Sequence, residues 1–377
     1  MIIANGTLFC DDGVFRKMDI ETKDGIISSI GDGLAGGMPE ILDAADCYVV
    51  PGLVDIHIHG AAGADFCDSS IESINIMARF LLKNGVTSFL GASLTVAESL
   101  LMDIYTKASP YIGKSIPAQA ALMGINMEGP FFNTEKRGAQ NAKYIRSPDF
   151  DMFARLYEAS GGGIKTVAVA PETEDGLEFI RKARAVCNVS LAHSTADYSM
   201  AYSAFKAGAG SVTHIFNGMP AFHHRDPGIV GAAADSGAYA ELICDGIHLH
   251  PSVVRAVFKL FGDDKVCLIS DAIRACGLPE GKYELGGQTI TVANGSAITE
   301  DGALAGSIVT LLDCLHQAVK FGIPIESALK ASTINPAKAV GLDGKVGSLS
   351  RGKRADILIL RKDLTLKNVL LSGILQA

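Results

Sequence analysis

Apolar and polar positions follow two different rhythms along this chain. The first fifty residues carry short alternating runs, MIIANGTLF, VFRKMDIET, GIISSIG and CYVVPG, punctuated by turns such as Lys23-Asp24-Gly25, and predict a layer of short strands. The C-terminal stretch KVGSLSRGKRADILILRKDLTLKNVLLSG has the same rhythm, with ADILIL reading as a buried strand. The two ends are expected to pair into one small β-sandwich domain built from residues 1–51 and 341–377.

Between them, over residues 52–340, apolar runs alternate with amphipathic segments, the signature of parallel strands joined by crossover helices. The eight runs are 53–59, 87–93, 121–127, 164–170, 189–193, 211–216, 240–245 and 266–271. Helical spacing lies between them, as in 71–85, 147–160, 177–186 and 197–208. Eight strands close a (β/α)₈ barrel, so the predicted class is α/β, a TIM-like barrel with a small β domain. Residues 277–303 are rich in Gly and turn signals and read as an insertion, followed by closing helices over 307–322 and 324–332.

Composition narrows the partners. The 377 residues exceed the roughly 250 that a barrel needs. A net charge of −8 and a pI near 5.6 leave no positive surplus for a phosphate backbone, which argues against nucleic acid. Apolar stretches are interrupted before the roughly 18 positions of a membrane span, as by Asp313 and His316, so no membrane partner is expected. MIIANGTLFC lacks a basic leader with a long apolar core, which predicts a cytoplasmic protein. The eight cysteines are scattered without a C-x-x-C pair, so a metal site would be built from His, Asp and Glu.

The ionisable residues cluster where those runs end. His57 and His59 close the first run, Glu128 follows the third, His193 ends the fifth, His214 lies in the sixth and Asp271 ends the eighth. All strand C-termini of a parallel barrel open on one face, so these residues are expected to converge there on a divalent cation such as zinc or iron. His57 and His59, two apart on one strand, should point the same way. A lone histidine in an apolar strand is more often a satisfied core residue, and a His-x-His pair alone has many accidental matches. The weight lies in the joint pattern, and a buried Asp271 without a partner would be costly.

PGLVDIHIHG, MEGPFF, LAHS, THIFNGMP, DGIH, ISDA and LAGS together resemble the motif series of the N-acetylglucosamine-6-phosphate deacetylases, in the same order over residues 50–310. The tail NPAKAVGL…GSLSRGKRADILIL resembles amidohydrolases in general. The resemblance implies a metal-dependent hydrolase that releases acetate and glucosamine 6-phosphate, with Glu128 in the bridging place that a modified lysine fills in many relatives. It assigns Glu128, His193 and His214 as main metal ligands, His57 and His59 as ligands of a second cation, Asp271 as acid/base, and His248 as the residue that contacts substrate and polarises the acetyl carbonyl. Ala139, Gln140, Asn217, Gly218, Arg225, Leu304, Ala305 and Gly306 align with substrate-binding positions. Gln140 stands where some members have a histidine near the phosphate, and Arg225 is the phosphate contact, supplied in the family by the neighbouring subunit of a homodimer. One or two metals per chain are implied, zinc first, with iron and manganese chemically acceptable.

Two alternatives keep weight. A dihydroorotase-like or dipeptidase-like amidohydrolase would place a bridging lysine at the end of the fourth run, where AVAPE stands; Lys165 lies at that run's start, on the wrong face. A non-catalytic barrel scaffold would be free to lose ligands, yet every ligand position carries a competent residue. His223 and His224 are expected to bring one ring near the substrate, whereas His250 and His316 read as structural.

Overall fold

The computed structural model describes residues 1–34 and 40–376; residues 35–39 and 377, within the segments expected to form the β domain, lie outside the described residues. Eight parallel strands form one sheet in sequence order: Leu53–Ile58, Val86–Ser93, Ala121–Met127, Ile164–Val169, Asn188–Leu191, Ser211–Val212, Tyr239–Ile243 and Val266–Ile269. The seam between the eighth and first strands is bridged by Asp271 N–H donating to His57 O at 2.9 Å and by Ser270 Oγ donating to Asp55 Oδ2 at 2.6 Å. The barrel expected from the pattern is therefore present.

Helices Ile71–Lys83, Phe150–Ala159, Gly176–Ala183 and Tyr198–Ala207 occupy the amphipathic segments, each burying its apolar stripe against the strands. Helix Gly228–Ser236 escaped the periodicity because its sequence GIVGAAADS is apolar on nearly every side, six of its nine residues being buried. The Gly-rich insertion folds into an antiparallel sheet of Gly281–Leu285, Gln288–Ala293 and Ser296–Thr299. Closing helices run over Leu311–Lys320, Ile325–Ser332 and Ile334–Ala339.

A second core cluster joins Val54, Ile56, Leu90, Met123, Ile243 and Ile269 of the barrel to Ala337, Val340, Leu342 and Val346. Ile243 also lines a cavity at the strand C-termini, so packed side chains lie directly beneath that cavity and the barrel is a core, not a pore. The chain ends pair as expected: strand Ile357–Leu360 runs antiparallel to Tyr48–Pro51, with Leu358 opposite Val50. This joins a six-stranded sheet that faces a four-stranded one across Ile3, Leu8, Ile20, Val49, Ile357 and Leu370.

Candidate metal centre and active site

Glu128, one residue past the third strand, is the hub. Its Oε1 lies 3.3 Å from His193 Nε2 and 3.1 Å from His214 Nε2, and its Oε2 lies 3.2 Å from His59 Nε2. His57 Nε2 stands 3.6 Å from Glu128 and 3.5 Å from Asp271 Oδ1, which is also 3.2 Å from His59 Nε2. All six residues are buried. Two donor sets result, His57/His59/Glu128 and Glu128/His193/His214, sharing the carboxylate.

Backbone geometry aims several of these groups. The expected runs 189–193 and 211–216 stop being strand at Leu191 and Val212, and His193 (φ 45°), His214 (φ 30°) and Asp271 (φ 47°) sit in left-handed backbone. Such backbone is disfavoured for residues with a Cβ, and it is held here by the sheet ends and a network of side chains. His214 therefore lies beyond the sixth strand, not in it. Glu172 anchors the turn after His193 by accepting from Ser194 Oγ and Thr195 N at 2.6 Å each, and from Asn133 Nδ2 at 3.0 Å.

The donor chemistry fits a cation. His59 Nδ1 bonds Ala92 O at 3.2 Å, His193 Nδ1 bonds Lys136 O at 2.8 Å, His214 Nδ1 bonds Asn217 O at 3.2 Å, and His57 Nδ1 bonds Glu241 Oε2 at 3.0 Å. Those acceptors can only receive, so each Nδ1 carries the proton and each Nε2 is left for a proton or a metal. His193 Nε2 and His214 Nε2 face each other at 3.2 Å: two lone pairs would repel and two protons would clash, so the pair needs either one shared proton or a cation. His57 Nε2 is buried without a hydrogen-bond partner. A cation in each donor set resolves both conflicts.

The charges are mutually enforced. Burial pushes His57 down, but the Glu128 and Asp271 carboxylates outweigh it and hold the ring well above its ordinary value. His59 follows the same balance, burial against Asp271 and Glu128, and is pushed up to about 10. Burial would raise both carboxylates, yet the facing histidines hold Glu128 well below the usual carboxylate range, and His57 and His59 keep Asp271 lowered. Burial likewise works against Asp245, which its hydrogen bond to His248 Nδ1 at 2.7 Å keeps low.

A cavity of about 330 Å³ opens over this centre. His59, Glu128, His193, His214, His248, Asp271, Ala139, Gln140, Asn217, Gly218, Leu304 and Gly306 line it. Gly218 (φ +62°) is required, since a Cβ there would come within 2.9 Å of His193 Nδ1. Ala305 is fully buried in the core instead, its N–H on Ala297 O. Arg225 is exposed outside the cavity, with Nη1 2.8 Å from His224 Nε2, and His223 and His224 do not line the cavity either. His250 caps helix Pro251–Phe261, and His316 Nε2 bonds Leu364 O at 2.9 Å.

Gln140 does more than line the cavity. It is buried, donates from Nε2 to Glu128 Oε2 at 2.8 Å and accepts from Thr95 N at 2.8 Å, so its amide orients the hub. Sequence reading also missed Glu241, Asp245 and Glu172, which hold His57, His248 and the His193 turn. The only signal was acidic residues inside or just after apolar strands, as in AELICD.

The fold and site define a metal-dependent hydrolase, and the chain belongs to the amidohydrolase family, whose model matches residues 48–375. Within that family it is similar to the N-acetylglucosamine-6-phosphate deacetylases. The Bacillus subtilis (strain 168) enzyme of that name is 36% identical over 367 residues, covering 96% of this chain and 90% of the relative. An N-acetylgalactosamine-6-phosphate deacetylase of Escherichia coli O157:H7 is 31% identical over 97% of this chain and 96% of its own length. The N-acetyl-D-glucosamine-6-phosphate deacetylase of Mycobacterium smegmatis, solved in complex with N-acetyl-D-glucosamine-6-phosphate, superposes with a TM-score of 0.93 at 27% identity, covering 100% of this chain and 98% of that one.

Proposed function

We propose that this chain hydrolyses the acetamide of N-acetylglucosamine 6-phosphate to glucosamine 6-phosphate and acetate, as a step in amino-sugar breakdown. The observation that carries the reading is the convergence of four histidines, Glu128 and Asp271 beneath one cavity in a chain this similar to deacetylases of that substrate. Glu128, His193 and His214 would hold one divalent cation and His57, His59 and Glu128 a second, with zinc the first choice for nitrogen and oxygen donors. Such a cation lowers the pKa of water and polarises an amide carbonyl.

The chain's own groups do the rest. Asp271, held anionic, takes a proton from the attacking water at its carboxylate and returns it to the amide nitrogen, so that the C–N bond breaks to a neutral amine. His248, its Nδ1 committed to Asp245, has Nε2 left to hydrogen-bond the carbonyl oxygen as charge develops there. Ala139, Asn217, Gly218, Leu304 and Gly306 border the space for the sugar, while Gln140 orients Glu128. Arg225 lies outside its own chain's cavity, which suits a phosphate contact made across a homodimer. All eight cysteines are free thiols, which suits the reducing cytoplasm.

Asp271→Asn tests the proton role. The variant should keep the metal at Glu128, His193 and His214 while kcat falls roughly 10²–10⁴-fold. A near-normal kcat would remove Asp271 from that role.

A further inference from the structure

The four histidines of the centre are not held alike. His59, His193 and His214 each give their Nδ1 proton to a neutral backbone carbonyl, of Ala92, Lys136 and Asn217. His57 alone gives it to a carboxylate, Glu241 Oε2, at 3.0 Å. Glu241 lies mid-strand in Tyr239–Ile243, two strands round the barrel from the first with only Val266–Ile269 between, and both side chains are almost completely buried, at 2% and 0% exposure. A carboxylate sealed inside a barrel is expensive unless it is paired, and its ionic partner here is His57. The opposite ring nitrogen, His57 Nε2, is buried and makes no hydrogen bond.

From this asymmetry we infer that Glu241 is a positioning residue for the second cation site. It fixes the His57 tautomer so that Nε2 presents its lone pair, and supplies a negative charge without occupying a coordination place. The charge matters because the two sites share one hub carboxylate. Glu128 already faces His193 and His214 through Oε1, and Gln140 competes for Oε2. A second divalent ion beside His57 and His59 would otherwise have Asp271 and a share of Glu128 within ligating reach, with the buried Asp55 and Asp65 carboxylates acting on those two rings from outside the donor set. The carboxylate–imidazole pair thus decides whether the chain holds one cation or two. The inference rests on the proposed second site.

Zinc titration of chelator-stripped protein, read as the affinity of each successive ion, tests it on wild type, Glu241→Gln, Glu241→Leu and His57→Gln. Wild type should bind two ions. Glu241→Leu should weaken the second by roughly 10–100-fold and leave the first within a few-fold, and Glu241→Gln, whose amide oxygen can still accept from Nδ1, should fall between. A residue that merely supports the fold would weaken both ions equally, and that result, or wild-type second-ion affinity in both Glu241 variants, overturns the inference. If the leucine variant does not fold, the glutamine variant decides alone. Loss of the second ion in His57→Gln but not in either Glu241 variant sinks the Glu241 role and spares the second site. A single ion in wild type, indifferent to His57→Gln, removes both.

Discussion

At the scale of single residues, the centre is a competition between protons and metal for the same Nε2 atoms. Facing carboxylates hold His57 well above its ordinary value and His59 up to about 10, so near neutral pH the stripped protein carries protons where a cation would sit. Zinc binding at pH 7.5 should therefore release roughly one to two protons, seen as a buffer-dependent calorimetric enthalpy, and apparent affinity should fall as pH drops. The sign also fixes stability: a raised histidine pKa stabilises stripped protein fully below its unfolded value and loses that contribution as pH rises through about 10. Uptake of zinc without proton release would contradict this picture of the histidines. His57, His59, Glu128, His193, His214 and Asp271 were legible in the sequence through their joint placement at the ends of the apolar runs, and the structure brings them together. Glu241 and Gln140 were illegible in these roles because what they do depends on a partner brought close by closure of the barrel, 184 residues away in the case of Glu241 and His57.

At the scale of elements, long strands and amphipathic helices were readable because periodicity survives wherever one face is buried and the other is wet. It failed for Gly228–Ser236, buried on most sides, and for the ends of the fifth and sixth strands, where a left-handed residue replaces the extended one and no pattern announces it. Elements also carry structural work away from the chemistry. Asn335, in the first turn of helix Ile334–Ala339, donates from Nδ2 to Asp263 O at 2.7 Å and to Val266 O at 2.8 Å, tying that helix to the start of the eighth strand. Asn335→Ala leaves the buried Val266 carbonyl and the part-buried Asp263 carbonyl without that donor and should cost about 1–3 kcal/mol, measured by denaturant unfolding, with metal content and KM unchanged. Unaltered stability would mean that the amide adds nothing to the seam.

For the whole molecule, the electrostatic problem is a dianionic substrate in an acidic protein of net charge −8, whose own Arg225 stands outside its cavity. A guanidinium from a second copy would solve it by gripping two phosphate oxygens. Arg225→Ala should then raise KM for the 6-phosphate far more than for unphosphorylated N-acetylglucosamine. Mixing it with Asp271→Asn under subunit exchange should restore activity through hybrid sites. An equal KM penalty on both sugars, or no complementation despite proven exchange, would remove the shared phosphate contact.

The central claim is metal-dependent deacetylation of a phosphorylated amino sugar, and the most direct measurement is acetate release by zinc-loaded protein from N-acetylglucosamine 6-phosphate, with the galactosamine epimer in parallel. Acetate and glucosamine 6-phosphate should appear in equal amounts, cease on chelation and resume on adding metal back, with the glucosamine substrate the faster. No acetate from the 6-phosphate, or release indifferent to chelation, would contradict the account, and faster turnover of the epimer would move the assignment to the galactosamine substrate.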